Sequence, residues 1–262
     1  MPKLPADFLL ANAGQLSIYT MKGCDKIILR RKGGASRERI KTDPVFANTR
    51  RINAEFGGRA TCSKWIRRML HPLNFIANYN ITGPLNALLK PIQELDSISD
   101  YGERSVALSA NPHLLEGFNL NKRSSFDAIV HNPVRYTLSK RKLHASIDIP
   151  AILPGHNFVV PGNFAMYRFI VLLGIIPDLF YTPDGYRSKG NYDNERAEDT
   201  YTEWFPTQTG SPGITLELQL PQKPANSAYS VILSIGVAFG AIRYGDIEPI
   251  QYTGGAKVLG VE

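Results

Sequence analysis

From about residue 114 onward, apolar and polar residues alternate with a period of two. Val134, Tyr136 and Leu138 interleave with Arg135, Thr137 and Ser139, and after Lys140-Arg141-Lys142 the residues Ala145, Ile147 and Ile149 interleave with Ser146 and Asp148. Such alternation places one row of side chains on each face of a strand, so the two runs predict a hairpin with a basic tip. Ile214, Leu216, Leu218 and Leu220 alternate without a fault against Thr215, Glu217 and Gln219. Residues 164–176 are nearly all apolar, as in a strand covered on both faces. Near the end, Tyr229, Val231, Leu233, Ile235, Val237 and Phe239 form one bulky face, while Ser230, Ser234, Gly236, Ala238 and Gly240 supply mostly small residues to the other. A strand face of small residues admits a close neighbour, either another layer or another chain.

The front of the chain carries a different pattern. Leu16, Ile18 and Thr20 alternate, Lys22-Gly23-Cys24-Asp25 supplies a turn, and residues 26–30 return, which predicts a second hairpin. Residues 31–39 are charged around Gly33-Gly34 and read as an exposed, flexible or tightly turned connector. Asp43-Pro44 signals a helix start, since Asp caps well and Pro at the first helical position loses no needed hydrogen bond. Val45, Thr49, Ile52 and Phe56 then trace one apolar stripe, with a break expected at Gly57-Gly58. A second amphipathic stretch over 59–70 is expected to turn Cys62, Trp65, Ile66 and Met69 inward and Arg59, Lys64, Arg67 and Arg68 outward, and to end at Pro72. A weaker helix falls within 85–95 despite Pro91.

These elements predict an α+β protein in which an N-terminal hairpin and basic helices join an antiparallel β-sandwich of jelly-roll-like type. The expected parts are an arm and hairpin at 1–41, a basic helical region at 42–113 and the sandwich at 114–262. No repeat of fixed period interrupts this division.

Charge sharpens the polarity. Residues 1–142 hold 23 Lys and Arg against 11 Asp and Glu, a net of +12, whereas residues 143–262 hold 7 against 12, a net of −5. Residues 22–68 alone carry 14 basic against 4 acidic side chains. Asymmetry of this kind suits a polyanion or a complementary surface on a neighbouring subunit. The candidate contact residues are Arg30, Arg31, Lys32, Arg37, Arg39, Arg59, Lys64, Arg67 and Arg68, and the candidate acidic partner is the loop bearing Asp193, Glu195, Glu198, Asp199 and Glu203. That loop matches no EF-hand spacing.

Composition adds bounds. With 262 residues, 43% of them hydrophobic and 20% charged, the chain can bury a full core and is not of disordered type. Its longest apolar runs, 164–176 and 229–242, are shorter than the roughly 18–20 residues of a spanning helix and contain or abut Arg, so no transmembrane helix is expected. In residues 1–14 a short apolar stretch is interrupted by Asp7 and has Lys3 as its only basic residue, a poor secretion signal. Synthesis in the cytoplasm is the expectation, with an extracellular or phage-related assembly as a possible destination.

Catalytic patterns are wanting. His71, His113, His131, His144 and His156 lie far apart, and no HExxH, GxSxG, Walker A or GxGxxG sequence occurs. Ser139 and Lys142 match SxxK, but they fall at the hairpin tip, open to water, a poor setting for a catalytic base. Cys24 and Cys62 lack CxxC spacing and are expected to be free thiols. Hence no enzyme, cofactor or metal site is expected.

Leu16-Ser17-Ile18-Tyr19, the run from Arg31-Lys32-Gly33-Gly34 to Ile40, Asp43-Pro44-Val45-Phe46 and the run from Thr49-Arg50-Arg51 to Phe56-Gly57 together resemble a family of uncharacterised bacterial proteins of similar length. That family carries a KGG-S-RI-DP-F-TR-N-EFG signature in its N-terminal part. Leu115-Glu116-Gly117-Phe118 and the apolar strand at 231–239 resemble it more weakly, and Arg51 and Ile52 depart from the pattern. The resemblance implies one integrated unit and no established activity.

Two functional readings follow. The first is a non-catalytic, self-assembling structural subunit of a filament, tube or virion-like particle, whose partner is itself through heterologous contacts. The alternative is a nucleic-acid-binding protein using residues 22–68. A carbohydrate- or ligand-binding β-sandwich is a third class, for which the sequence offers no identifiable site.

Overall fold

The structure is a computed structural model that describes residues 14–21, 24–190, 192 and 197–262. It divides into two compact units, Met1–Arg50 and Arg51–Glu262. The division falls inside a helix, and the helical region expected over 42–113 shares its core with the β-rich region that follows it.

In the first unit, β1 (Leu16–Met21) and β2 (Cys24–Arg31) pair antiparallel, with Ile18 opposite Leu29 and Thr20 opposite Ile27. They pair only with each other among the described residues. The expected hairpin is present, and two of its turn residues, Lys22 and Gly23, lie outside the described residues. The connector expected to be flexible or tightly turned runs into a short helix, α1 (Arg37–Thr42). The Ser36 hydroxyl accepts a hydrogen bond from the Arg39 amide at 3.2 Å and caps it, a signal that the neighbouring glycines outweighed in the sequence. Asp43 caps the next turn through the Val45 amide at 3.0 Å, and Pro44 occupies its first position as expected. Arg50 then clasps the Ile40 and Asp43 carbonyls at 2.8 and 2.9 Å.

The second unit begins within α2 (Ala47–Met69), which passes through Gly57-Gly58 unbroken. A Cβ on Gly58 would lie 2.6 Å from Cε1 of Tyr186, so this glycine admits a packed ring instead of ending the helix. The buried face of α2 in this unit is Glu55, Gly58, Arg59, Cys62, Ser63, Ile66 and Met69, spaced at helical intervals. The stripe expected to face inward is rotated away from it: Ile52 and Phe56 are 45% and 51% exposed, and in the first unit Val45 is 81% exposed. Helix α3 (Thr82–Glu94) turns Leu85, Leu89 and Ile92 inward and holds Pro91 in its last turn, and α4 (Phe126–Ile129) is a single turn capped by Ser125.

Every strand ladder of the β part is antiparallel. Strands β3 (Arg135–Ser139) and β4 (His144–Ile149) form the basic-tipped hairpin. They are followed by β5 (Met166–Pro177), a small hairpin of β6 (Phe180–Thr182) and β7 (Gly185–Arg187), and then β8 (Glu198–Tyr201) and β9 (Phe205–Pro206). The chain closes with β10 (Ile214–Gln219), β11 (Tyr229–Arg243), β12 (Asp246–Pro249) and β13 (Gly255–Val261). One sheet runs β10-β4-β3. The larger runs β12-β11-β5-β8, with β13 also on β11 and β9 also on β5.

Both faces of the β5–β11 pair are buried. One face carries Tyr167, Phe169, Val171 and Leu173 with Val231, Leu233, Ile235 and Val237, and these share a cluster with Ala145, Ile147 and Leu218 of the smaller sheet. The other carries Ile170, Leu172, Ile176, Ile232 and Ala238, packed with Cys62, Ile66 and Met69 of α2 and Leu85 and Leu89 of α3. Small residues make that helical contact close. A Cβ on Gly236 would fall 2.5 Å from Leu73 Cδ2, and one on Gly174 would fall 2.8 Å from Met69 Sδ. The small-residue face of β11 thus receives a second layer of the same chain.

Candidate interaction surfaces

Five of the nine proposed cations, Arg30, Arg31, Lys32, Arg37 and Arg39, lie exposed in the first unit. Arg31 donates to the Gln15 side chain at 3.1 Å and Lys32 to the Gly14 carbonyl at 3.3 Å. Arg39 pairs with Asp43 at 3.1 Å and stands over the Phe46 ring at 5.7 Å. Residues 1–50 hold 10 Lys and Arg against 4 Asp and Glu, a net of +6 out of the chain's +7, so the excess charge belongs almost wholly to this unit.

In the second unit Lys64, Arg67 and Arg68 line the outer face of α2, with Arg68 standing over the Trp65 ring at 5.3 Å. Arg59 is not with them. Expected to point outward, it is buried and donates to Gln93 Oε1 at 2.7 Å. The reason is a polar network that fixes the rotation of α2. Glu55 accepts two hydrogen bonds from Arg104, at 2.6 and 2.8 Å, and a third from the Gly102 amide at 3.0 Å. Gln93 donates to the Arg104 carbonyl at 2.8 Å, and the Tyr186 hydroxyl donates to the same carbonyl at 2.8 Å. Burial alone pushes the Glu55 carboxyl up, but hydrogen bonds from Arg104 and Gly102 and the charges of Arg104 and Arg59 outweigh it, leaving Glu55 below its ordinary value. A run of apolar residues at helical spacing lost to this face because Glu55 and Arg59 are satisfied there and the ring of Tyr186 needs Gly58.

Of the five proposed acidic residues, Asp193 and Glu195 lie outside the described residues. Glu198 and Asp199 lie on β8, at one edge of the larger sheet, and Glu203 is exposed in the segment joining β8 to β9. Among the described residues, no three His, Cys, Asp or Glu gather as metal ligands, and no helix is long and apolar enough to cross a membrane. Cys62 is a free, buried thiol, while the side chain of Cys24 lies outside the description.

A cleft of about 680 Å³ that sequence reasoning missed opens where the helical layer runs out beyond Ile170. Its floor holds Arg168 of β5. The ladder there passes from β8 to β9 through Thr202, whose amide donates to the Phe169 carbonyl at 3.0 Å and whose hydroxyl accepts from the Phe169 amide at 3.0 Å. This excursion sets Tyr201 and Trp204 about Arg168, with ring centroids 4.7 and 4.5 Å from the guanidinium carbon. Room for Trp204 comes from Gly240, where a Cβ would meet the indole at 2.9 Å. His71, Asn74, Phe75, Gln251 and Tyr252 also line the cleft. Tyr252 has a left-handed backbone (φ 60°), and its amide donates to the Phe75 carbonyl at 2.7 Å. Asn121 steadies the turn by donating to the carbonyls of Ile76 and Tyr252 at 3.1 and 3.4 Å.

The signals for this cleft are scattered over residues 71–252, and each residue is ordinary alone. Only an Arg inside an otherwise apolar strand marked the place in the sequence. No family model, curated protein or solved structure matches the chain.

Proposed function

We propose that the chain is a non-catalytic structural subunit that assembles with copies of itself. The supporting observation is the first unit: a two-stranded hairpin with Ile18 62% and Ile27 71% exposed and no further strand beside it among the described residues. An isolated two-stranded ribbon is marginal in water, and its open edges invite another strand. Charge complementarity points to a second copy as the occupant. The unit carrying a net of +6 would pair its edge with the β8 edge of another molecule, where Glu198 and Asp199 lie. A contact of one surface with a different surface repeats head to tail and gives rings or fibres. In this reading the two β-sheets form a sandwich of jelly-roll-like type that serves as the body of the subunit.

Light scattering and negative-stain microscopy over a range of protein and salt concentrations test the proposal. Large regular species are expected for the wild type and smaller ones for Ile27→Lys; a monomer under every condition refutes it. The alternative reading, nucleic-acid binding, draws on Lys64, Arg67 and Arg68 sharing one exposed helix face. It predicts retardation of DNA or RNA that falls steeply with salt and is weakened by Arg67→Gln with Arg68→Gln.

A further inference from the structure

We infer that the cleft over Arg168 binds an acidic saccharide, a pyranose ring bearing a carboxylate or sulfate. This goes beyond the assembly reading and does not depend on it. Three features of the cleft carry it.

The first is an unpaired cation. Arg168 makes no ion pair among the described residues, and its Nε is buried without a hydrogen-bond partner. Burial holds its guanidinium below its ordinary value, and the Tyr201 phenol opposes that shift only in part. The Tyr201 and Trp204 rings lie against the guanidinium without supplying a counter-ion. A partly desolvated guanidinium held between aromatic rings is a strong recogniser of a carboxylate or sulfate, to which it can donate two hydrogen bonds at once.

The second is the choice of polar groups around it. His71, Asn74 and Gln251 offer donors and acceptors, and Asp199 adds an acceptor-only carboxylate. Asp199 argues against a bare inorganic anion, which it would repel. It favours a ligand that presents hydroxyl donors a few ångströms from its negative group. Burial, and then a hydrogen bond to Asp199, push the Tyr201 phenol up; the phenol donates to Asp199, whose carboxylate has further acceptor positions for a ligand hydroxyl.

The third is the aromatic surface. Phe75, Tyr201 and Tyr252 line the same cleft, and Tyr201 and Tyr252 are substantially exposed. Tyr252 is held by an uncommon left-handed backbone, the kind of local strain that persists where the surroundings enforce it and that clusters at binding sites. Flat rings beside planar polar side chains suit a sugar, which has apolar C–H faces and an equatorial belt of hydroxyls.

The experiment titrates the full chain with a galacturonic acid trimer, a sulfated heparin-type tetrasaccharide, neutral maltotriose and adenosine 5′-monophosphate. It follows tryptophan fluorescence, because Trp204 touches Arg168 and is one of only two tryptophans. One acidic saccharide is expected to shift the emission and to bind at least about 10-fold more tightly than maltotriose. Arg168→Gln is expected to erase that preference, and Gln251→Ala, at an exposed position that leaves the fold intact, to weaken binding several-fold. Carboxylate and sulfate sources are separated by which acidic probe binds. Equal binding of maltotriose, binding of the nucleotide alone, silence of every probe at millimolar concentration, or unchanged affinity in Gln251→Ala would each overturn the assignment.

Discussion

Gly57 and Gly58 sit side by side in the interior of α2, yet alanine at the two positions should act in opposite directions. In an exposed helix interior, Gly→Ala stabilises by about 1 kcal/mol because the unfolded chain loses freedom and the helix gains a better former. At Gly57 nothing lies within 4 Å of the added Cβ, so that gain should be realised in full. At Gly58 the same methyl lands 2.6–2.8 Å from three atoms of the Tyr186 ring. The ring cannot step aside cheaply, because its hydroxyl donates to the Arg104 carbonyl at 2.8 Å and accepts from Gln93 at 3.2 Å. Overpacking costs about 1–3 kcal/mol, and a loosened hydrogen bond about 1 kcal/mol more. Subtracting the helix gain leaves Gly58→Ala less stable than wild type by about 1–3 kcal/mol. For a unit of this size each kcal/mol moves Tm by roughly 2–4 °C. Thermal melts followed by circular dichroism should therefore show Gly57→Ala a few degrees above wild type and Gly58→Ala several degrees below it. Equal stabilisation by both alanines would refute the packing of Tyr186 against α2 and, with it, the rotation assigned to the helix.

Three further outcomes follow from the same geometry. Glu55 and Asp96 are both held below the ordinary carboxylate range; for Asp96, amide hydrogen bonds from Ser105, Ser99 and Ile98 outweigh its burial. Their folded pKa values lie below the unfolded ones, so their contribution is fully present above about pH 5 and drains away as pH falls through 4. Urea unfolding at stepped pH should show this loss, and Asp96→Asn should flatten it; an unchanged pH slope in the variant counts against the account. The Cys62 thiol, pushed up to about 12 by burial and then by the Asp178 carboxylate, should resist iodoacetamide at pH 8 until guanidinium is added. Peptide mapping that finds native Cys62 labelled at the rate of a free thiol contradicts this. Gly236→Ala, whose Cβ would press on Leu73 at 2.5 Å, should cost about 1–3 kcal/mol, read as a drop in Tm.

The β half was legible because two-residue alternation survives burial: the bulky rows of β10 and β11 and the apolar run of β5 lie where the pattern put them. The helical half was less so. Counting apolar residues finds Ile52 and Phe56, but the buried face of α2 starts with Glu55, Gly58 and Arg59, residues that look like surface until Arg104, Gln93 and Tyr186 arrive from 34 or more positions away. The cleft was illegible for a related reason. Its geometry depends on where the β8–β9 ladder leaves β5, and register of that kind is a property of two strands rather than of either sequence. Eight of the nine candidate cations are exposed; the burial of Arg59 was not legible because its partner, Gln93, lies 34 positions away.

The long β5–β11 ladder bears on how the molecule comes into being. Its rungs join Met166 to Gly240 and Pro177 to Tyr229, and β13, whose last residue is Val261, completes the layer. Both core clusters draw on these late residues, so neither can close before β11 and β13 are present. Helices α2 and α3 are made first and must wait, apolar faces uncovered, until the strands they pack on have followed. Folding of the second unit is thus dominated by long-range pairing and slow by topology. Deleting β13 should be more damaging than deleting the hairpin, since it uncovers β11 and leaves an aggregation-prone chain instead of a smaller protein.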